Sequence, residues 1–99
     1  MKAQSTKAIL KKCDDVSGLL KSLSHPVRLR ILCSLLEKEK TVNELTDFCD
    51  ISQSSMSQFL ARMKDEGLLE SRREHRFVFY SVKDPKLAQL LESIRTIYC

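Results

Sequence analysis

The chain has 99 residues and a net charge of +4. That length makes one domain with a modest core, which pairing with a second copy would help, and the charge suits a polyanionic partner without requiring one. Apolar runs of only a few residues exclude a membrane-spanning helix, and the opening MKAQSTKAILKK lacks the apolar stretch of a secretory leader, so the expected place of action is the cytoplasm.

Two glycines and two prolines leave most of the chain free for regular structure. Ile9, Cys13, Val16, Leu19, Leu20 and Leu23 recur at helical spacing, which predicts a first helix over residues 5–22. Ser24-His25-Pro26 interrupts it. Pro26 suits the first turn of a second helix, with Ser24 or His25 as its cap. That helix, Pro26 to Leu36, carries Leu29, Leu32, Cys33 and Leu36 on one face, and Ile31 and Leu35 widen it. A charged connection from Glu37 to Lys40 leads to a third helix. Thr41 caps it, Glu44 completes a capping box, and Val42, Leu45 and Phe48 face inward.

Cys49-Asp50-Ile51 turns the chain, with Asp50 able to take a left-handed backbone. Ser52 caps a fourth helix whose buried line is Met56, Leu60 and Met63. Gly67 ends it in a left-handed cap. Leu68–Ser71 and Phe77–Val82 read as strands. Between them Arg73-Glu74-His75-Arg76 lacks Asn-Gly or Asp-Gly, so a longer or mobile tip is expected. Asp84-Pro85 opens a last helix with Leu87, Leu90, Leu91, Ile94, Ile97 and Tyr98 inward. This stripe is wider than one small core needs and is expected to serve a dimer interface.

The order α-α-α-α-β-β-α is that of a winged helix-turn-helix, mainly α with a small β-hairpin wing. One domain is expected over residues 1–99, with the helix-turn-helix at 41–66, the wing at 68–82, and dimerisation helices at 5–22 and 85–98. Ser52, Gln53, Ser54, Ser57 and Gln58 fall on the open face or leading edge of the fourth helix. Gln pairs bidentately with adenine, Ser takes bases or phosphates, and a helix N-terminus favours phosphate. Arg72, Arg73, His75 and Arg76 charge the wing for backbone or minor-groove contact, and Arg62 and Lys64 add phosphate contacts. Taken singly, a Ser/Gln-rich helix face and a basic hairpin are ordinary solvated surface. Their succession, with the turn before and Gly67 between, is what points to double-stranded DNA. Phe77, Phe79 and Tyr80 suit a core-packed ribbon better than an RNA-stacking platform. No nucleophile-base set or cofactor loop is recognisable, so neither an enzyme nor a cofactor is expected.

The four cysteines sit in helical patterns, without CxxC or zinc-finger spacing, and are expected to be thiols in a reducing compartment. Cys13 reads as packing, and Cys49, at the turn, as exposed. Cys33 alone reads equally as a small buried hydrophobe. Cys99, at the chain's end, is harder to place in a core. His25, Arg28 and Arg30 are the cations nearest Cys33 along the chain.

LSHPVRLRILCSL (Leu23–Leu35), VNEL (Val42–Leu45), SQSSMSQFLARMKDEGLL (Ser52–Leu69) and RREHRFVFYSVKDPKL (Arg72–Leu87) resemble the ArsR family of small dimeric winged-helix repressors over nearly the whole chain. Within it the sequence is most similar to the dithiol sensors of the BigR/SqrR/YgaV type. The resemblance implies a homodimer on a palindromic operator. It also implies a sensing pair, Cys33 and Cys99, that reactive sulfur species or oxidants link as a disulfide or a longer sulfur bridge, releasing DNA. Phe59, Asp50 and His75 depart from the family's usual His, turn Gly and wing Gly. A metal(loid)-responsive repressor is the rival reading. However, VNELTDFC has no CxC pair and the last helix no histidine, leaving only Cys33 and Cys99 with a borrowed ligand for a soft metal. A DNA-binding repressor without an effector is the other.

Overall fold

A computed structural model describes residues 5–99; the expectations that touch residues 1–4, the leader reading and the domain's first residues, lie outside them. The elements are α1 (Thr6–Leu23), α2 (Pro26–Leu35), β1 (Lys40–Thr41), α3 (Val42–Cys49), α4 (Gln53–Asp65), β2 (Leu69–Glu74), β3 (Phe77–Val82) and α5 (Pro85–Tyr98). The expected winged helix-turn-helix is present, with one strand more than its hairpin.

Side chains at the helix ends explain the boundaries. Ser5 accepts from the Ala8 amide at the start of α1, and His25 Nδ1 accepts from the Val27 amide beside Pro26. Thr41 and Glu44 form the reciprocal capping box of α3. Asp50 takes φ 55° between α3 and α4, a left-handed conformation that Asp tolerates. After α4, Gly67 at φ 81° lets its own amide reach Lys64 O and the Leu68 amide reach Met63 O. This is a Schellman close, satisfying two end carbonyls.

The core lies where α2, α3, α4 and α5 meet the sheet. Ile31, Leu32, Leu45, Met56, Leu60, Met63, Leu69 and Leu91 are sealed from solvent. The expected line Met56, Leu60 and Met63 is therefore the inner face of α4. Other faces need correction. Phe48 is 59% exposed, and Cys49 takes the inner place at 1%, because α3 presents Leu45 and Cys49, one turn apart, to the core. Ile97 and Tyr98 are also exposed, at 73% and 82%, and the buried residues of α5 are Leu87 and Leu91. On α1 only Leu23 is buried, while Ile9, Val16 and Leu20 face outward in the single chain.

The charged connection holds the missed strand. Lys40 and Thr41 pair antiparallel with Tyr80 and Phe79, so the sheet order is β1-β3-β2. Lys40 is buried, its ammonium donating to Ser34 O at the end of α2 and lying 5.0 Å from the Phe48 ring centre. A cation there also complements the negative end of the helix dipole. The wing tip differs too. Glu74 pairs with Phe77, leaving a two-residue turn of His75 and Arg76 rather than a longer tip. The sequence gives no glycine, so His75 itself takes φ 56°.

Candidate DNA-reading face and thiol pair

α4 presents its polar face outward because its apolar line is committed to the core. Ser52, Gln53, Ser54, Ser57, Gln58 and Arg62 are all exposed. The start of the helix is tightly ordered. Ser52 Oγ accepts from the Ser55 amide at 3.1 Å and donates to Ser55 Oγ at 2.9 Å, with Ser54 Oγ at 3.3 Å. Gln53 Nε2 donates to Asn43 Oδ1 on α3 at 3.2 Å, so Asn43 orients the amide expected to read a base. Gln58 and Arg62, one turn apart, line a small cleft with Ser55 and Phe59. Lys64 is engaged elsewhere: its ammonium donates to Ser71 Oγ on β2 at 2.7 Å, tying α4 to the wing.

On the wing, strand alternation separates the arginines. Arg72 lies opposite Phe79, with its guanidinium 4.7 Å from that ring centre. It donates to both oxygens of Glu39 and to Glu74 Oε2 at 2.8 Å. Those carboxylates raise the Arg72 pKa, and Arg72 in turn holds Glu39 below the usual carboxylate range. Arg73, His75 and Arg76 are exposed, Arg76 lying over Phe77 at 5.1 Å. Within the expected basic wing, Arg72 thus serves as a clamp between the α2–β1 connection and the hairpin.

α5, which ends at Cys99, packs on α2, which carries Cys33 66 positions earlier. Cys33 is half-buried in a shallow cleft with Pro26, Leu29, Arg30 and Phe48. Cys99 is exposed where α5 ends, its amide donating to Arg95 O at 2.9 Å. Burial pushes the Cys33 thiol up, a charge on Cys99 pushes it further, and Arg95 opposes both. Cys49, expected exposed, is enclosed, and burial raises its thiol pKa. Cys13 is exposed on the outward stripe of α1, beside Ile9, Val16 and Leu20.

Comparison with known proteins matches this arrangement. Residues 25–71 fit the family described as bacterial regulatory protein, arsR family. The biofilm growth-associated repressor of Xylella fastidiosa is 42% identical over 89 residues, 90% of this chain and 78% of that protein. The chain belongs to the ArsR family. The HTH-type transcriptional regulator YgaV of Escherichia coli is 40% identical over 87 residues, 87% of this chain and 88% of its own. The crystal structure of the transcriptional repressor BigR from Xylella fastidiosa superposes with a TM-score of 0.85 at 38% identity, covering 97% of this chain and 98% of that one. ArsR-family proteins are DNA-binding transcriptional regulators, not enzymes, and operator DNA is the partner this membership gives the chain. No described helix is long and apolar enough to cross a membrane. Among the described residues no three His, Cys, Asp or Glu side chains gather as a metal site.

Several residues of this ArsR-family site were not foreseen. Arg95, rather than His25, Arg28 or Arg30, is the cation that lowers the Cys33 pKa. Its position four residues before Cys99 on the same helix face was the available signal. Arg28 instead forks onto Glu66, and Arg30 acts on Cys49. Glu39, Asn43 and Glu66 had no local signature, because each acts on a partner from a different element.

Proposed function

We propose that this chain is a homodimeric, cytoplasmic repressor whose hold on a palindromic operator depends on the Cys33/Cys99 pair. The start of α4, through Ser52, Gln53, Ser54, Ser57 and Gln58, reads base edges in the major groove. Arg62, Arg73, His75 and Arg76 meet the backbone or the minor groove. Linking the thiols releases the DNA. What supports the reading is that α5, which ends at exposed Cys99, packs on α2, which carries half-buried Cys33. Support for the dimer comes from α1 and α5, whose Ile9, Val16, Leu20, Ile97 and Tyr98 form apolar surface that a single chain leaves in water.

The chemistry needs an oxidant, and a polysulfide supplies it. The Cys99 thiolate, the more accessible, attacks a sulfur of the polysulfide. One S–S bond forms, one breaks, and hydrosulfide or a shorter polysulfide leaves. The Cys33 thiolate then attacks the persulfide. Attack at the Cys99 sulfur expels hydrosulfide and closes a disulfide; attack further along a longer chain closes a bridge that retains sulfur. Two protons leave the cysteines, and two electrons pass to the departing sulfur.

The test is binding of the promoter DNA of the chain's own gene at fixed salt, with reduced and polysulfide-treated protein. Wild type, Cys33→Ser and Cys99→Ser are compared, with intact mass recorded for each. Loss of binding in wild type alone, with a mass change fitting an internal link, supports the switch. Equal binding in all three despite modified thiols sinks it. Transcription from the same promoter in vitro fixes the direction of regulation.

A further inference from the structure

We propose that Arg28 and Glu66 are the positioning residues through which the state of the thiol pair reaches the DNA-reading helix. This rests on the dithiol reading above. α4 must leave its outer face free for DNA, so its angle is set by what holds its inner side and its ends. At its start Gln53 meets Asn43, and along its length Met56, Leu60 and Met63 enter the core. The second half is held on one side by β2, where Lys64 donates to Ser71 Oγ, and on the other by the first turn of α2. Arg28 Nη1 and Nη2 donate to Glu66 Oε1 and Oε2 at 2.8 and 2.7 Å, just past the last turn of α4. The His25 ring, at the cap of α2, lies 5.1 Å from the ring of Phe59. Arg28 also reaches Ser22 O at the end of α1.

Cys33 sits on the same ten-residue helix, five residues beyond Arg28 and so about 7–8 Å along its axis. Between Val27 and Leu35 there is no proline or glycine at which α2 would bend. A pull on Cys33 toward the end of α5 is therefore a displacement of Arg28. Apolar packing is non-directional and lets neighbouring helices slide. A planar, two-bond fork fixes distance and angle together. The fork thus converts movement of α2 into tilt of α4. Arg28 is mostly enclosed, its side chain 11% exposed, so water does not replace its partner freely.

The experiment measures operator binding by anisotropy for the full chain, reduced and polysulfide-linked, in wild type, Glu66→Gln and Arg28→Lys. Thermal unfolding and intact mass are recorded on the same samples. Lys keeps the charge and loses the fork, so Arg28→Lys decides alone if Glu66→Gln does not fold. The expected result is that both variants form the link with the same mass change as wild type. The ratio of linked to reduced Kd should shrink about fivefold or more, at the low end of ordinary coupling strengths. A fork with only a stabilising role would lower Tm and leave that ratio at the wild-type value, and this result overturns the proposal. If wild type itself forms the link and keeps its affinity, the dithiol reading fails and the proposal fails with it.

Discussion

Arg28 and Glu66 are joined by two parallel hydrogen bonds across 38 positions of sequence. The pair holds Glu66 below the ordinary carboxyl value of 4.5. As pH falls, the unfolded chain therefore takes up this proton before the folded chain does. The stability contributed is complete above about pH 4.5 and drains as pH drops through the lower folded value. Glu66 is 36% exposed, so screening limits the contribution to about 1 kcal/mol or less. Urea unfolding of wild type and Glu66→Gln from pH 7 to pH 3 should show two curves that converge at the acid end. Parallel curves would show that the pair contributes nothing.

Arg72 should differ from its neighbours on the wing. All three are exposed, but Arg72 already faces Glu39 and Glu74, whereas Arg73 and Arg76 form no ion pair among the described residues. Arg73→Gln is expected to lower the slope of log K against log salt by about 1, the signature of one lost phosphate contact. Arg72→Gln should leave the slope nearly unchanged, and Glu39→Gln should tighten DNA binding by releasing charge. A full unit of slope lost in Arg72→Gln would place Arg72 on the DNA instead.

His75 holds a left-handed backbone at φ 56° without being glycine. That conformation costs a residue with a side chain about 1–2 kcal/mol, and glycine's extra freedom in the unfolded chain returns part of it. His75→Gly should raise unfolding stability by about 0.5–1 kcal/mol. Any gain in Tm should appear without a gain in DNA affinity, because the substitution removes a wing side chain. A fall in stability would mean that the ring makes contacts that outweigh the strain.

The Cys33 thiol lies above its ordinary value of 9.0, first through burial and then through Cys99, with Arg95 opposing. Its alkylation rate should therefore still be rising with pH beyond pH 9, because only the thiolate reacts. Arg95→Gln should slow labelling of Cys33 at neutral pH, read by mass spectrometry of the modified peptide. Cys49, enclosed in the core, should stay unlabelled until the chain unfolds. Equal labelling of Cys49 and Cys99 in native protein would contradict the packing of α3.

The outward stripe of α1 carries the proposed dimer. Placing a charge at Leu20, 51% exposed in the single chain, should weaken self-association by tenfold or more, the value of about 1.5–3 kcal/mol for burying one leucine. Sedimentation of wild type and Leu20→Glu measures this. A monomeric wild type at micromolar concentration would refute the dimer outright.

Chain-local chemistry by itself determined most of the elements. Helical apolar spacing, the Thr41–Glu44 capping box, the left-handed turn at Asp50 and the Gly67 close are all interactions between residues within a few positions, so the sequence displays them directly. The polar face of α4 was legible for the same reason, as the complement of Met56, Leu60 and Met63. What only the tertiary structure decided involves partners far apart. Lys40 and Thr41 form a strand because β3 offers them an edge, and nothing in a two-residue charged segment announces that. Arg72 reads as a DNA contact until Glu39 is found beside it, and Arg28 reads as a thiol neighbour until α4 brings Glu66 to it. Ion pairs and thiol proximity depend on distance in space, which falls off steeply and has no trace in local periodicity. For that reason the sequence could name Cys33 and Cys99 only through resemblance, while the tertiary structure packs the helix that ends at Cys99 on the helix that carries Cys33.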